Sequence, residues 1–317
     1  MSIKKILITG GAGFIGTNLT KFYLEKGIDV IIVDNFSTGK FSNLPKSNNL
    51  QVIEHDLINS LPARLFRDVD MVMHFSANAD IRHGMVDSMK DIEQNIIVTE
   101  KVMNSAVKAG CKDFIFASSA AVFGEPNVFP TPENIFIPRQ TSLYGMSKLA
   151  GEGILSAYAE NYGIRASAIR FVSIVGDYYA HGHVIDFYNK LLEDPYKLEI
   201  LGDGQQRKSY LHINDMMNAL DKVVNYQIQQ EENHFEIYNF GNSEYCKVTD
   251  SANVIISEMN LDPEITYTGG KRGWVGDSPF VHLDTSKIIN LGWKSEIKVL
   301  DALRLTIRWL INANKKF

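Results

Sequence analysis

The chain has 317 residues, 45% apolar and 22% charged, the profile of an ordinary globular protein with one large core and a smaller lobe, or two domains. Its 32 basic and 37 acidic residues give a formal net charge of −5, which argues against a nucleic-acid partner but leaves room for a local anion site. Two isolated cysteines, Cys111 and Cys246, make neither a disulfide framework nor a zinc site, and no stretch is apolar and long enough for a signal peptide or a membrane span, so a soluble, cytoplasmic protein is expected.

Short apolar runs at 6–8, 30–33, 51–54, 71–75, 114–117 and 166–171 predict strands, and amphipathic runs at 15–25, 92–108 and 144–162 predict helices between them. That alternation predicts an α/β fold, a Rossmann-like doubly wound parallel sheet. Beyond about residue 173 the pattern loosens, with helices at 184–192, 213–226 and 299–313 set among longer loops. The expected division is residues 1–172 and a smaller α/β lobe over 173–317, with 212–240 able to pack back on the first. No linker separates the two.

The first strand runs directly into Gly10, Gly13 and Gly16 and then a helix. Gly10 allows a tight turn, Gly13 lets backbone approach a pyrophosphate, and Gly16 lets the helix pack close to the strand. The helix N-terminus then offers free N–H groups to phosphate. Asp34 ends the second strand, 18 residues after Gly16, where a carboxylate binds an adenosine ribose diol. The same carboxylate would repel a 2′-phosphate, which favours NAD over NADP.

Tyr144 and Lys148 lie one helical turn apart and share a face. A phenol ordinarily ionises near pH 10, too high for a base at neutrality, and a neighbouring ammonium, together with the positive nicotinamide ring, is expected to favour the phenolate. Ser118 and Ser119 follow the fifth strand at the carboxyl edge of the sheet, where doubly wound folds bind ligands. Ser119, Tyr144 and Lys148 are therefore the candidate group for removing a proton from a sugar or alcohol hydroxyl while hydride leaves the same carbon. His74 and His212 flank apolar runs and read as structural. His181 and His183 find no third metal ligand at helical spacing and fit a polar loop over a nucleotide base, so no metal is expected.

These features resemble the extended short-chain dehydrogenase/reductases, of the nucleotide-sugar epimerase and dehydratase type, over nearly the whole chain. The matching segments are TGGAGFIG (9–16), VDNFSTG (33–39), HDL (55–57), HFSANADIR (74–82), SSAAVFG (118–124), YGMSK (144–148), LGDGQQRKSYLHINDM (201–216), YNFGN (238–242) and RGWVGD (272–277). The resemblance implies tightly bound NAD and an NDP-sugar substrate worked on at C4. It implies cofactor contacts from Gly10, Gly13, Phe14, Ile15, Gly16, Asp34, Asn35, Ser37 and Gly39, and from Asp56 and Leu57 at the adenine. Phe75, Ser76, Ala77, Ala117, Tyr144, Lys148 and Phe171 would line the cleft, with Asn95 steadying the strand that carries the serine. On the substrate side it implies Ser119, Ser173, His183, Val184, Arg207, Lys208, Arg272 and Asp277, the cations meeting the diphosphate. It also implies a homodimer built from the helices at 92–108 and 144–162.

The pattern departs from the family in places. Relatives that dehydrate across C5 and C6 carry an Asp-Glu pair where this chain has Ala120 and Ala121, and decarboxylating relatives carry a glutamate at 121. Phe123 replaces a tyrosine, Leu143 a proline, and Arg170-Phe171-Val172-Ser173 lacks the family's asparagine. The expectation is an NAD-dependent NDP-sugar 4-epimerase resembling UDP-glucose 4-epimerase. The alternatives are a C4 dehydrogenase that releases a 4-keto sugar nucleotide, for example an NDP-heptose, and a non-catalytic dinucleotide sensor, a class that usually loses the Tyr or Lys kept here.

Overall fold

The computed structural model describes residues 3–81, 83–136, 139–274 and 277–314, with only the backbone of His83 and Met85. In chain order the elements are β1 (Lys5–Thr9), α1 (Phe14–Glu25), β2 (Asp29–Asp34), β3 (Leu50–Glu54), β4 (Met71–His74), the one-turn helices α2 (His83–Val86) and α3 (Ser88–Asp91), α4 (Val98–Lys108), β5 (Asp113–Ala117), α5 (Leu143–Tyr162), β6 (Arg165–Phe171) and β7 (Ser173–Val175). There follow α6 (His183–Glu193), β8 (Lys197–Ile200), β9 (Arg207–Lys208), β10 (Tyr210–His212), α7 (Ile213–Gln227), β11 (His234–Phe240), β12 (Cys246–Lys247), α8 (Val248–Met259), β13 (Glu264–Tyr267), α9 (Ser286–Ile289) and α10 (Val299–Asn314).

Seven strands form one sheet in the order β11-β6-β5-β4-β1-β2-β3, every neighbouring pair parallel. Parallel strands need apolar cover on both faces, and β1 shows how the sequence supplies it. Ile6 and Ile8 pack on one face with Leu19 and Tyr23 of α1 and Leu220 and Val223 of α7. Leu7, one residue out of phase, packs on the other face with Val102 of α4 and Leu155 of α5. The strand order reverses between β1 and β4, so the crevice for a ligand opens beyond Thr9 and His74, which pair in register.

Two expected elements differ in detail. The helix expected at 92–108 begins as a wide π turn, Ile92–Ile97, before α4. The strand expected at 71–75 ends at His74, although Phe75 N still donates to Thr9 O.

After β6 the strands come in pairs: β7 with β10, β8 with β13, and β9 with β12. They share a separate core with α6, α8 and α10, including Leu191, Ile200, Ile255, Leu303 and Ile307. Between them the chain returns through α7 to β11, which extends the first sheet beside β6. Among the described residues no helix is long and apolar enough to cross a membrane.

Candidate active site

Gly10 has φ of +68°, and a Cβ there would come within 2.8 Å of the Ser76 backbone nitrogen. Gly16 is tighter still, since its Cβ would stand 2.0 Å from Gly10 O. A Cβ on Gly13 would meet only Gly10 O, at 3.4 Å, so no protein atom fills the space beside it. Gly13 begins α1 without a side-chain cap, and the first turn, with Phe14, Ile15 and Gly16, holds no acid. An uncapped helix end behind a side-chain-free loop is a cradle for an anion. Asp34 closes it: its carboxylate accepts from Ala12 N at 2.9 Å and Phe36 N at 2.8 Å. Gly39 lies against Ala12, and Asn35 joins this loop to the next by donating to Asp56 at 3.2 Å and accepting from Ser37 N at 3.1 Å. Asp56 accepts from Ile58 N, and Leu57 beside it is buried. These residues fit a dinucleotide: amides and space for the pyrophosphate, a carboxylate for the ribose.

Phe75, Ser76 and Ala77 continue β4 past the glycine loop, with Ser76 N donating to Thr9 Oγ1 at 3.2 Å. His74 is locked beneath them. Its Nδ1 lies 2.6 Å from Thr9 Oγ1 and its Nε2 3.0 Å from Thr99 Oγ1. Thr99 already donates to Asn95 O, so Nε2 donates to Thr99 and Nδ1 accepts from Thr9. That neutral tautomer agrees with burial lowering the His74 pKa to about 3.

Ser119 caps a short 3-10 turn, Ala120–Phe123, its Oγ accepting from Ala121 N at 3.1 Å. The Tyr144 hydroxyl hydrogen-bonds with the Ser119 side chain. Lys148 Nζ lies 5.8 Å from the Tyr144 ring centroid and 5.0 Å from that of Phe116. Ser142 caps α5 by accepting from Gly145 N at 3.0 Å, which lets Leu143 occupy the first helical position. Ala117 ends β5 just before the serines, and Phe171 ends β6, half-buried.

The electrostatics correct one expectation. Burial pushes the Tyr144 phenol up to about 12, against the Ser119 hydrogen bond that pulls it down. Burial also lowers Lys148 to about 7, with Asp91 opposing. A lysine that is only partly protonated near neutral pH cannot by itself hold the phenol low.

Asn95 is a second correction. It does not hold the serine strand. Asn95 Oδ1 accepts from Asn78 N at 2.8 Å, and its Nδ2 donates to Ser147 Oγ at 2.9 Å. Ser147 in turn donates to Tyr144 O at 2.8 Å. The π turn carries Asn95 toward α5, so it ties the loop after β4 to the helix bearing the tyrosine. The sequence reading missed this network with Asn78, Asp91 and Ser147. It also missed Glu152, although Tyr144, Lys148 and Glu152 recur every four residues.

In the second lobe Lys208 Nζ donates to Asp277 Oδ1 and Ser278 O, each at 2.6 Å. Arg272 donates to Asp277 O and forms an ion pair with Glu125, just past the 3-10 turn. Arg207 lies apart from these, its guanidinium 3.8 Å from the Phe280 ring centroid. Ser173 is exposed at the start of β7. His183 is not in a loop: Gly182, at φ +110°, breaks the chain and His183 starts α6. Its ring contacts Tyr210 at 2.7 Å and Ser251 at 3.0 Å, and burial lowers its pKa to about 4. Val184 is fully buried in the second core, so its side chain presents no surface to a substrate. Arg82, Val275 and Gly276 of the motifs lie outside the described residues. Among the described residues no three His, Cys, Asp or Glu cluster as a metal site.

The sequence model described as the NAD dependent epimerase/dehydratase family matches residues 6–241. A crystal structure of a UDP-galactose 4-epimerase is similar with a TM-score of 0.88 at 32% identity, covering 98% of this chain and 99% of that one. A Methanocaldococcus jannaschii protein, provisionally named a UDP-glucose 4-epimerase, is 31% identical over 98% of this chain and 99% of its own length. Xenopus tropicalis UDP-glucuronic acid decarboxylase 1 is 26% identical over 96% of this chain and 72% of its own length.

Proposed function

The chain belongs to the NAD-dependent epimerase/dehydratase family, and from that premise we propose that it inverts C4 of a UDP-hexose through a 4-keto intermediate. The observation that carries the reading is Ala120-Ala121 directly after Ser119, with Ser119 Oγ bonded to the Ala121 amide. Eliminating water across C5 and C6 needs a further acid and base beside the hydroxyl, and two methyl groups supply neither. The glutamate that the family resemblance puts at 121 in decarboxylases is likewise replaced by Ala121.

NAD, held by the Gly10–Gly16 loop and Asp34, would supply a hydride acceptor and donor for C4 and a positive ring beside the phenol, the 4-keto sugar turning over in the pocket between the two transfers. Tyr144 removes the O4 proton and later restores it. Its ionisation is opposed by burial, so the phenolate forms only once positive charge has entered the site. Ser119, already bonded to Tyr144, orients O4. Lys148 holds the nicotinamide ribose and contributes what charge it carries. Lys208 and Arg272 meet the diphosphate by exchanging Asp277 and Glu125 for it.

The same reading divides the chain into an NAD-binding part, 1–172, and a sugar-nucleotide part, 173–317, with α7 and β11 packed on the first. It makes the protein a cytoplasmic homodimer through the helical segments 92–108 and 144–162, supported by the exposed apolar side chains Ile97, Leu143 and Tyr162.

The test is incubation with UDP-, GDP-, CDP- and dTDP-sugars, following NADH absorbance and product NMR. A C4-inverted UDP-hexose without lasting NADH is expected. NADH build-up with a keto product makes the enzyme a C4 dehydrogenase instead, and no conversion of any UDP-hexose removes the reading.

A further inference from the structure

Behind the catalytic group lies a charged pair that the proposed chemistry does not use. Glu152 and Arg170 are 3% and 2% exposed. Arg170 grips Glu152 in a two-pronged fork, Nε to Oε1 at 2.8 Å and Nη2 to Oε2 at 2.7 Å. Its Nη1 donates to Glu133 O at 3.0 Å, and its guanidinium lies 4.7 Å from the Phe123 ring centroid. The remaining contact is Ser118, whose Oγ donates to Glu152 Oε1 at 2.5 Å.

Apart from the bond to Glu133 O, the contacts lead to segments that carry catalytic atoms. Ser118 precedes Ser119. Phe123 ends the 3-10 turn that Ser119 caps. Glu152 sits one turn beyond Lys148 and two beyond Tyr144, on the same stripe of α5. The helix has no slack at this level, because a Cβ on Gly151 would come 2.4 Å from the Phe116 ring. A buried ion pair seldom adds stability over an apolar pair of similar size, so stability alone gives little reason to keep one here. Its fixed, two-pronged geometry offers another.

We propose that Ser118, Glu152 and Arg170 are positioning residues that set the distance between Ser119, just past β5, and the Tyr144–Lys148 face of α5. The proposal rests on the catalytic reading above. Arg170 fixes Glu152 and the 3-10 turn to β6, and Glu152 fixes α5 to the end of β5 through Ser118. Loosening that tie lets Ser119 and Tyr144 drift apart without changing either binding wall. Misplacement by about 1 Å costs roughly a hundredfold in rate.

The experiment uses NAD-loaded protein interconverting UDP-glucose and UDP-galactose, with Ser118→Ala, the double variant Glu152→Met/Arg170→Met, and Tyr144→Phe as the reference. Ser118→Ala is expected to lower kcat about tenfold, with KM and NAD content near wild type. The double variant is expected to keep its thermal midpoint while kcat falls by a similar or larger factor. Full kcat in Ser118→Ala overturns the proposal, as does a double variant whose kcat loss only follows its loss of folded protein. Should the double variant not fold, Ser118→Ala decides alone. An inactive Tyr144→Phe beside a fully active Ser118→Ala removes only the positioning role. A fully active Tyr144→Phe removes the catalytic reading and this proposal with it.

Discussion

The wall of the crevice formed by β1, α1 and β2 is almost bare of side-chain chemistry, whereas the region around β9, Arg272 and Asp277 is built from charged side chains. On the first wall the working parts are amides, one φ of +68° at Gly10 and a single carboxylate, Asp34, already held by two backbone N–H groups. On the second, Lys208 is engaged with Asp277 and Arg272 with Glu125. Backbone that is fixed by close approach loses nothing by waiting for a ligand. Charges that have taken protein partners must exchange them, so on the proposed reading the second wall would bind with the difference between two ion pairs.

The sharpest way to break the contrast is to put side chains where the first wall has none. Gly16→Val places carbon 2.0 Å from Gly10 O, a backbone atom that cannot swing aside. The expected result is loss of bound NAD and of all turnover, with destabilisation of several kcal/mol. Gly13→Ala sharpens the point, since its Cβ meets only Gly10 O, at 3.4 Å. That variant should fold with a thermal midpoint near wild type yet bind NAD at least about tenfold more weakly, because the methyl protrudes into the path of the pyrophosphate. Calorimetric titration with NAD separates the two. Unchanged NAD affinity in Gly13→Ala would mean the cradle lies elsewhere.

The same contrast explains what could be read from the sequence. The glycine loop, Asp34 and the Tyr144–Lys148 pair depend on spacing along one strand or one helix, and spacing is written in the chain. The parallel sheet follows from runs such as Ile6-Leu7-Ile8, which are apolar on both faces. The partners of Arg272, Lys208 and Arg170 depend on segments far apart in the chain, and a lone arginine does not announce its carboxylate. The π turn at Ile92–Ile97 was also hidden, because its residues fit a continuous helix equally well; what sets it apart is the buried bonding of Asn95 to Asn78 and Ser147. The reversal of Tyr144 and Lys148 expectations has the same origin. Spacing shows that the two are neighbours, but burial decides which form each prefers.

A smaller effect is expected on the second wall. Lys208→Ala removes a cation and leaves Asp277 nearly buried without its partner. A charged hydrogen bond contributes about 1.5–3 kcal/mol, so KM for the sugar nucleotide should rise about tenfold or more, with kcat and NAD affinity little changed. Arg272→Ala should cost less, because its pair with Glu125 is well exposed and its gain on exchange correspondingly small. Equal losses from the two, or a fall in kcat alone, would contradict a wall that acts only through binding.

The smallest effect is on stability, and its sign follows from Lys148. Burial lowers this ammonium from 10.5 to about 7 in the folded chain. Below about pH 7 both folded and unfolded chains carry the proton, and folding bears the full penalty of a buried charge. Between about 7 and 10.5 the unfolded chain binds more protons than the folded one, so stability rises with pH across that window. Above it the lysine is neutral in both states and the penalty is gone. Tyr144 acts in the opposite sense, its phenol raised from 10.0 to about 12, so stability falls again above about pH 10. In NAD-free protein, Lys148→Met should therefore be more stable than wild type at pH 6.5 by on the order of 1–3 kcal/mol. The gap should close as the pH approaches 10. Urea unfolding at several pH values measures it. A gap that stays constant with pH would mean that the methionine gains by packing, and that Lys148 titrates alike in the folded and unfolded chains.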